Sequence, residues 1–231
     1  MKTLVLISAN SEWRALKQIL LGRELQISST PYGESFDLQQ ENFQLVFVHG
    51  GWGKISAAAT AQYAIDRFRP DLLVNLGTCG GLDGCISSGD ILLVERTIVY
   101  DIIEQMGDPQ AALEHYTTEL DLSWLAGFPL PADVRRGLLV SADRDILSED
   151  VAMLIARYQA PAGDWESGAI AWVAAKNRVR CLILRGVTDI VSPDGGEAYG
   201  NIDLFHQRTT STMARLLEIL PGFLSHSALA S

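Results

Sequence analysis

Asp189, Glu166 and Glu12 are the side chains in this 231-residue chain best placed to do chemistry. Asp189 ends the apolar run Cys181-Leu-Ile-Leu-Arg-Gly-Val-Thr-Asp189, which reads as a buried strand opening into the loop Val191-Ser-Pro-Asp-Gly-Gly196. Ligands sit where a core strand of an open α/β sheet opens into a crevice. Glu166 lies in Asp164-Trp-Glu-Ser-Gly-Ala-Ile-Ala171, which starts the helix before that strand, and Glu12 follows the first strand of the chain. Any one of them alone is ordinary as a helix cap or a solvated loop residue. Three carboxylates from three separate strand or helix ends, beside the glycine motif Gly77-Thr-Cys-Gly-Gly81, suggest acid–base work on a small polar molecule.

The glycine motif follows a buried strand, Leu72–Leu76, but leads to a loop and a further strand. The dinucleotide fingerprint needs a helix there, and the phosphate loop needs a following Gly-Lys-Ser/Thr, so both fail. What remains is a glycine-dense turn that lets a ligand approach the backbone, with the N–H groups around Gly80 and the Thr78 hydroxyl as donors. His49-Gly-Gly-Trp-Gly-Lys54 is a second such turn, with Trp52 as a pocket wall and Lys54 as a solvated residue at a helix start. His115, His206 and His226 have no evident nucleophile partner, which leaves a hydrolytic triad without support. Cys79, Cys85 and Cys181 lack metal-ligand spacing and read as reduced, cytosolic thiols.

The elements that must carry these residues alternate. Leu4–Ser8 is an aliphatic strand, followed by a helix that Ser11 can cap, with Trp13, Leu16, Ile19 and Leu20 at helical spacing. Glu34–Leu38 and Phe43–His49 read as strands, and Ile55–Phe68 as an alanine-rich helix stopped by Pro70. Ile91–Tyr100 is a strand, Ala111–His115 a short helix, Gly137–Ser141 a strand and Ser148–Tyr158 a helix. Ser167–Lys176 is a helix, Arg180–Val187 a strand, and Asp203–Ile219 the closing helix, ended by Pro221-Gly222. With no linker, repeat or low-complexity segment, this pattern predicts one α/β domain over residues 1–231 around a largely parallel or mixed sheet.

Composition agrees. The chain is 48% apolar with a net charge of -10 and no basic cluster, which argues against a nucleic-acid partner. No apolar run approaches membrane-spanning length, and the short N-terminal apolar stretch reads as a strand and not as a signal peptide.

Four blocks, in this order, resemble the nucleoside phosphorylase/nucleosidase superfamily, and within it the methylthioadenosine/S-adenosylhomocysteine nucleosidases. They are Ser8-Ala-Asn-Ser-Glu12; Gly51-Trp-Gly-Lys54 with Leu76-Gly-Thr-Cys-Gly-Gly-Leu82 and Ser88-Gly-Asp90; Asp164-Trp-Glu-Ser-Gly-Ala169; and Arg185-Gly-Val-Thr-Asp189. The resemblance runs from about Met1 to Ile219. It implies a three-layer fold with a central mixed, twisted sheet, partly a barrel, flanked by helices. It also implies a cytoplasmic homodimer that acts on a small purine nucleoside without cofactor or metal. Asp189 matches the acid that protonates the purine, oriented by Thr188. Glu166 matches the carboxylate on the ribose hydroxyls, and Glu12 the base that activates water, with Arg185 and Thr78 helping to hold that water. The main chain at Ile146 matches the reader of the adenine edge.

Two features bear on the reaction and the substrate. Superfamily phosphorylases commonly carry a phosphate-binding arginine two residues before the glycine motif, where this chain has Asn75. A carboxylate such as Glu12 repels a phosphate dianion but serves as a base toward water, which predicts hydrolysis. Trp165 stands where the family has methionine, and Trp52 where it has a smaller aliphatic, which predicts a tighter or flatter 5′ pocket. Met106 is a candidate contact to a partner subunit, and Tyr199 or Phe205 a cover for the purine. The alternatives are a phosphorylase, a hydrolase of another nucleoside such as futalosine, and a non-catalytic nucleoside-binding module.

Overall fold

The computed structural model describes residues 1–40, 43–198 and 200–229. In chain order the elements are β1 (Lys2–Ile7), α1 (Asn10–Ile19), β2 (Ser28–Ser29), β3 (Glu34–Gln40), β4 (Phe43–His49), α2 (Gly53–Phe68), β5 (Leu72–Leu82), β6 (Ile91–Val99), α3 (Pro109–His115) and β7 (Thr117–Glu119). They continue with β8 (Val134–Ser141), α4 (Val151–Tyr158), β9 (Ala162–Asp164), α5 (Ser167–Lys176), β10 (Arg180–Ser192), β11 (Gly195–Gly196) and α6 (Ile202–Leu229).

All eleven strands join one mixed sheet. β5 pairs in parallel with β1 and β10 and antiparallel with β9; β10 pairs antiparallel with β6; β6 and β8, and β8 and β9, pair in parallel. The ring β5–β10–β6–β8–β9 therefore closes on itself, and β1, β4, β3 and β2 extend from it as an open wing. The expected mixed sheet with a partial barrel is present.

Residue alternation explains the layers. In β1, Val5 and Ile7 pack with α1 and α6, while Leu4 and Leu6 pack with α2 and α5. β10 repeats this, with Leu182 and Leu184 on the first side and Cys181 and Ile183 on the second. Both faces of these strands are covered, so their sequence is continuously apolar.

Four boundaries differ from expectation. The glycine motif is not a turn: β5 stays extended through Leu82, because β10 on one side and β9 on the other hold its backbone. Likewise β10 runs to Ser192, and Asp189 lies inside it, just past a one-residue bulge at Thr188 that re-aims the strand. Helix α1 begins at Asn10 with Ala9 as its cap, and Glu12, not Ser11, reaches back, its Oε2 accepting the Ala9 N–H at 3.2 Å. Helix α6 passes through Pro221 to Leu229. Phe223 and Leu224 beyond the proline are buried in the α1/α6 core, and that burial offsets the lost helical hydrogen bond. A smaller difference is that the Ser148–Tyr158 helix opens with a 3-10 turn over Ser148–Asp150. Among the described residues no helix is long and apolar enough to cross a membrane.

Candidate active site

A cavity of about 1060 Å³ opens over the ends of β5, β9 and β10 and the N-termini of α1, α5 and α6. Glu12, Trp52, Thr78, Gly80, Ile146, Trp165, Glu166, Thr188 and Asp189 line it, so residues spread over most of the sequence meet in one place. Phe205 lines it too, whereas Tyr199 lies outside the described residues. Met106 is 99% exposed, on the segment that follows β6.

Arg185 is placed differently from expectation. Its side chain is fully buried behind the cavity wall, as the hub of a polar cluster. Its Nη2 lies 2.9 Å from Asp164 Oδ2 and donates to Asn75 Oδ1 at 2.9 Å, and its Nε donates to Ser167 Oγ at 2.8 Å. Glu12 Oε1 lies 3.7 Å from Nη1, and Glu166 Oε2 4.0 Å from Nη2. One guanidinium thus faces three carboxylates, an excess of negative charge. Asn75, Ser167 and Asp164 are the residues that sequence reasoning missed as support for the site. For Asn75 the cause is the register, since it lies opposite Ile183 and two residues from Gly77, which faces Arg185, across β5 and β10.

Gly77 has to be glycine. A Cβ there would land on the Arg185 guanidinium and within 2.7 Å of Glu12 Oε1. Glycine at this position therefore admits the arginine–glutamate contact, a close approach and not a turn.

The three cavity carboxylates differ in their surroundings. Glu12 is in the first turn of α1, and its Oε1 accepts from the Thr78 N–H at 2.6 Å and the Thr78 hydroxyl at 2.9 Å. Those two donors fix the orientation of the Glu12 side chain toward the cavity. Glu166 caps α5, and its Oε1 accepts from the Gly53 N–H at 3.1 Å. Burial, with Asp164 adding to it against the opposing pull of Arg185, raises its pKa to about 8. Asp189 accepts the Ala198 N–H at 2.7 Å, while the Thr188 carbonyl accepts from Arg208 at 3.0 Å. Among the described residues the donor that orients Asp189 is therefore Ala198 and not the Thr188 hydroxyl. Burial raises the pKa of Asp189 as well, against that hydrogen bond. A carboxyl so raised is suited to donate a proton.

Lys54 is not a solvated residue. Its ammonium pairs with Asp101 and lies 3.8 Å from Asp143, while its N–H donates to Asp143 Oδ1 at 2.7 Å. This clamp fixes the first turn of α2, from which the Gly53 N–H reaches Glu166. Among the described residues no group of His, Cys, Asp or Glu side chains is arranged to hold a metal ion.

The pKa of Glu166 has a consequence for stability. The folded chain holds this proton more tightly than an unfolded one, whose ordinary value is 4.5. The stabilisation is complete below that value and is lost as pH rises toward about 8. Urea unfolding at a series of pH values across this window should show stability falling with pH, and Glu166→Gln should flatten the slope. An unchanged slope in that variant would mean that another group titrates.

A sequence profile of the phosphorylase superfamily matches residues 4–220. The chain belongs to the phosphorylase superfamily. A 5′-methylthioadenosine/S-adenosylhomocysteine nucleosidase from Buchnera aphidicola subsp. Acyrthosiphon pisum is 25% identical over 192 residues, spanning 78% of this chain and 82% of the relative. The S-adenosylhomocysteine nucleosidase of Streptococcus pyogenes, solved with 5-methylthiotubericidin, shares the fold of this superfamily member at a TM-score of 0.78 and 20% identity, covering 97% of this chain and 96% of its own. A futalosine hydrolase mutant from Helicobacter pylori shares it at a TM-score of 0.77 and 20% identity, covering 94% and 97%.

Proposed function

We propose that this superfamily member hydrolyses the N-glycosidic bond of a purine nucleoside of the 5′-methylthioadenosine/S-adenosylhomocysteine type, releasing adenine and a (thio)ribose. The single observation that carries the reading is the charge around Arg185: Glu12, Asp164 and Glu166 already surround this one buried cation. A phosphate dianion entering beside Glu12 would meet net negative charge in a desolvated site, whereas water meets a base. Asn75, at the position where phosphorylases of the superfamily commonly carry an arginine, accepts a hydrogen bond from Arg185 and supplies no further cation.

The chemistry runs through three groups. Asp189, its pKa raised by burial, delivers a proton to the purine as the bond breaks, so that the base leaves neutral. Glu166 receives the sugar hydroxyls, and its negative charge favours the cationic, oxocarbenium-like sugar of the transition state. Glu12 removes the proton from water that attacks the anomeric carbon. Burial raises the pKa of Glu166 to about 8, which favours its protonated form. Two sugar hydroxyl donors favour its charged form, so binding of a non-cleavable nucleoside analogue should expel a proton. Calorimetry at neutral pH in buffers of different ionisation enthalpy should show that release, and Glu166→Gln should abolish it. A binding enthalpy independent of the buffer would count against the role.

The decisive experiment is chromatographic detection of free adenine from methylthioadenosine, S-adenosylhomocysteine, adenosine and inosine, with and without phosphate. The expected result is adenine in phosphate-free buffer and little cleavage of inosine. Strict dependence on phosphate would convert the reading to a phosphorylase. Glu12→Gln should lower turnover by about 10²–10⁴-fold, the usual effect of removing a positioned base. The reading includes a single-domain, cytoplasmic homodimer acting in methionine salvage. Three free cysteines support the compartment, and the exposed apolar side chains of Ile103 and Met106, on the segment after β6, support a partner surface.

A further inference from the structure

We infer that Trp52 and Trp165 together form the wall that selects the 5′ substituent, admitting a short uncharged group such as methylthio and disfavouring a zwitterionic amino-acid tail. This inference rests on the nucleosidase reading above. The two indoles pack with centroids 5.1 Å apart and planes tilted by 34°, a direct contact with no slot between the rings. Each is the chain neighbour of one end of the same hydrogen bond. Trp52 precedes Gly53, whose N–H donates to Glu166 at 3.1 Å, and Trp165 precedes Glu166 itself. With the base at Asp189 and the sugar hydroxyls at Glu166, the 5′ carbon leaves the sugar at the end away from the base, toward this wall.

The wall is apolar and anchored. Trp52 lines the cavity with 67% of its surface uncovered, so it offers a broad indole face to a ligand. Its backbone cannot retreat, because the next two residues are tied to Glu166 and Asp143. A thioether gains contact with the indole face. An ammonium and a carboxylate on a longer chain would lose water against the two indole faces, which offer neither of them an ionic partner. Most nearby charges are already engaged: Glu166 and Asp143 accept the Gly53 and Lys54 N–H groups, the Lys54 ammonium is held by Asp101, and Arg144, which also lines the cavity, pairs with Asp150 at 2.7 Å. Arg14 and Asp145, both exposed and lining the same cavity, are the groups that would favour a zwitterionic tail, Arg14 through the tail's carboxylate.

The test compares kcat/KM for methylthioadenosine and S-adenosylhomocysteine by adenine release, in the full chain and in Trp52→Ala, Trp165→Met and Arg14→Gln. The native protein should prefer methylthioadenosine by about tenfold or more, the scale of discrimination by an apolar pocket. Each tryptophan substitution should shrink that ratio by about tenfold. Trp52→Leu provides the same comparison should the alanine variant not fold. A native ratio near one, or a ratio unmoved in both tryptophan variants, overturns the inference while adenine release leaves the hydrolase reading standing. A preference for S-adenosylhomocysteine that disappears in Arg14→Gln also overturns it and assigns the 5′ end to the arginine. No adenine from either nucleoside would overturn both.

Discussion

Asp189→Asn should lower adenine release by about 10²–10⁴-fold without loss of fold. The asparagine keeps the shape and can still accept the Ala198 N–H, but it has no proton to give. Burial raises the pKa of Asp189, so ionising it in the folded chain is unfavourable, and a neutral isostere removes that penalty. Thermal melting at neutral pH should therefore be unchanged or slightly higher. The defect should also depend on the leaving group: a riboside whose leaving group is stable as an anion, such as nitrophenolate, needs no protonation and should be cleaved nearly as well by the variant. Near-native adenine release, or an equal defect on both substrates, would remove Asp189 from the role of acid.

Arg185→Met should have the largest effect on stability. The variant leaves Glu12, Asp164 and Glu166 buried against one another with no cation among them. Removing one partner of a buried ion pair costs about 3–5 kcal/mol, which in a chain of this size lowers the melting temperature by roughly 10 °C. Arg185→Lys should recover only part of the loss. A point charge cannot serve Asp164, Asn75 and Ser167 at once, as the guanidinium does through Nη2 and Nε. Thermal melts of both variants, followed by turnover at a temperature where each is folded, separate the structural share from the catalytic one. A shift of only a degree or two in Arg185→Met would mean that the carboxylates are neutral and the cluster carries little charge.

Much of the site was legible because superfamily motifs are short and their chemistry is local. Glu166 at the start of α5 and Glu12 in the first turn of α1 stand at helix N-termini, where carboxylates are common. Trp52 and Trp165 were readable as departures from the family pattern, though not as a contacting pair. The Lys54 clamp was illegible: Asp101 and Asp143 stand 47 and 89 residues from Lys54, and nothing local marks them as partners.

Periodicity and composition determined the alternating α/β order, the strands covered on both faces, and the three acids with their chemical types. Those properties depend on neighbours along the chain. Only tertiary structure decided that β5 and β10 remain extended through the glycines, that a bulge at Thr188 aims Asp189, and that α6 continues past Pro221. It also decided that Arg185 lies behind the wall and not in it. Each of these outcomes was set by partners far away in sequence: a neighbouring strand supplying hydrogen bonds, a core burying Phe223, and three distant carboxylates enclosing one guanidinium.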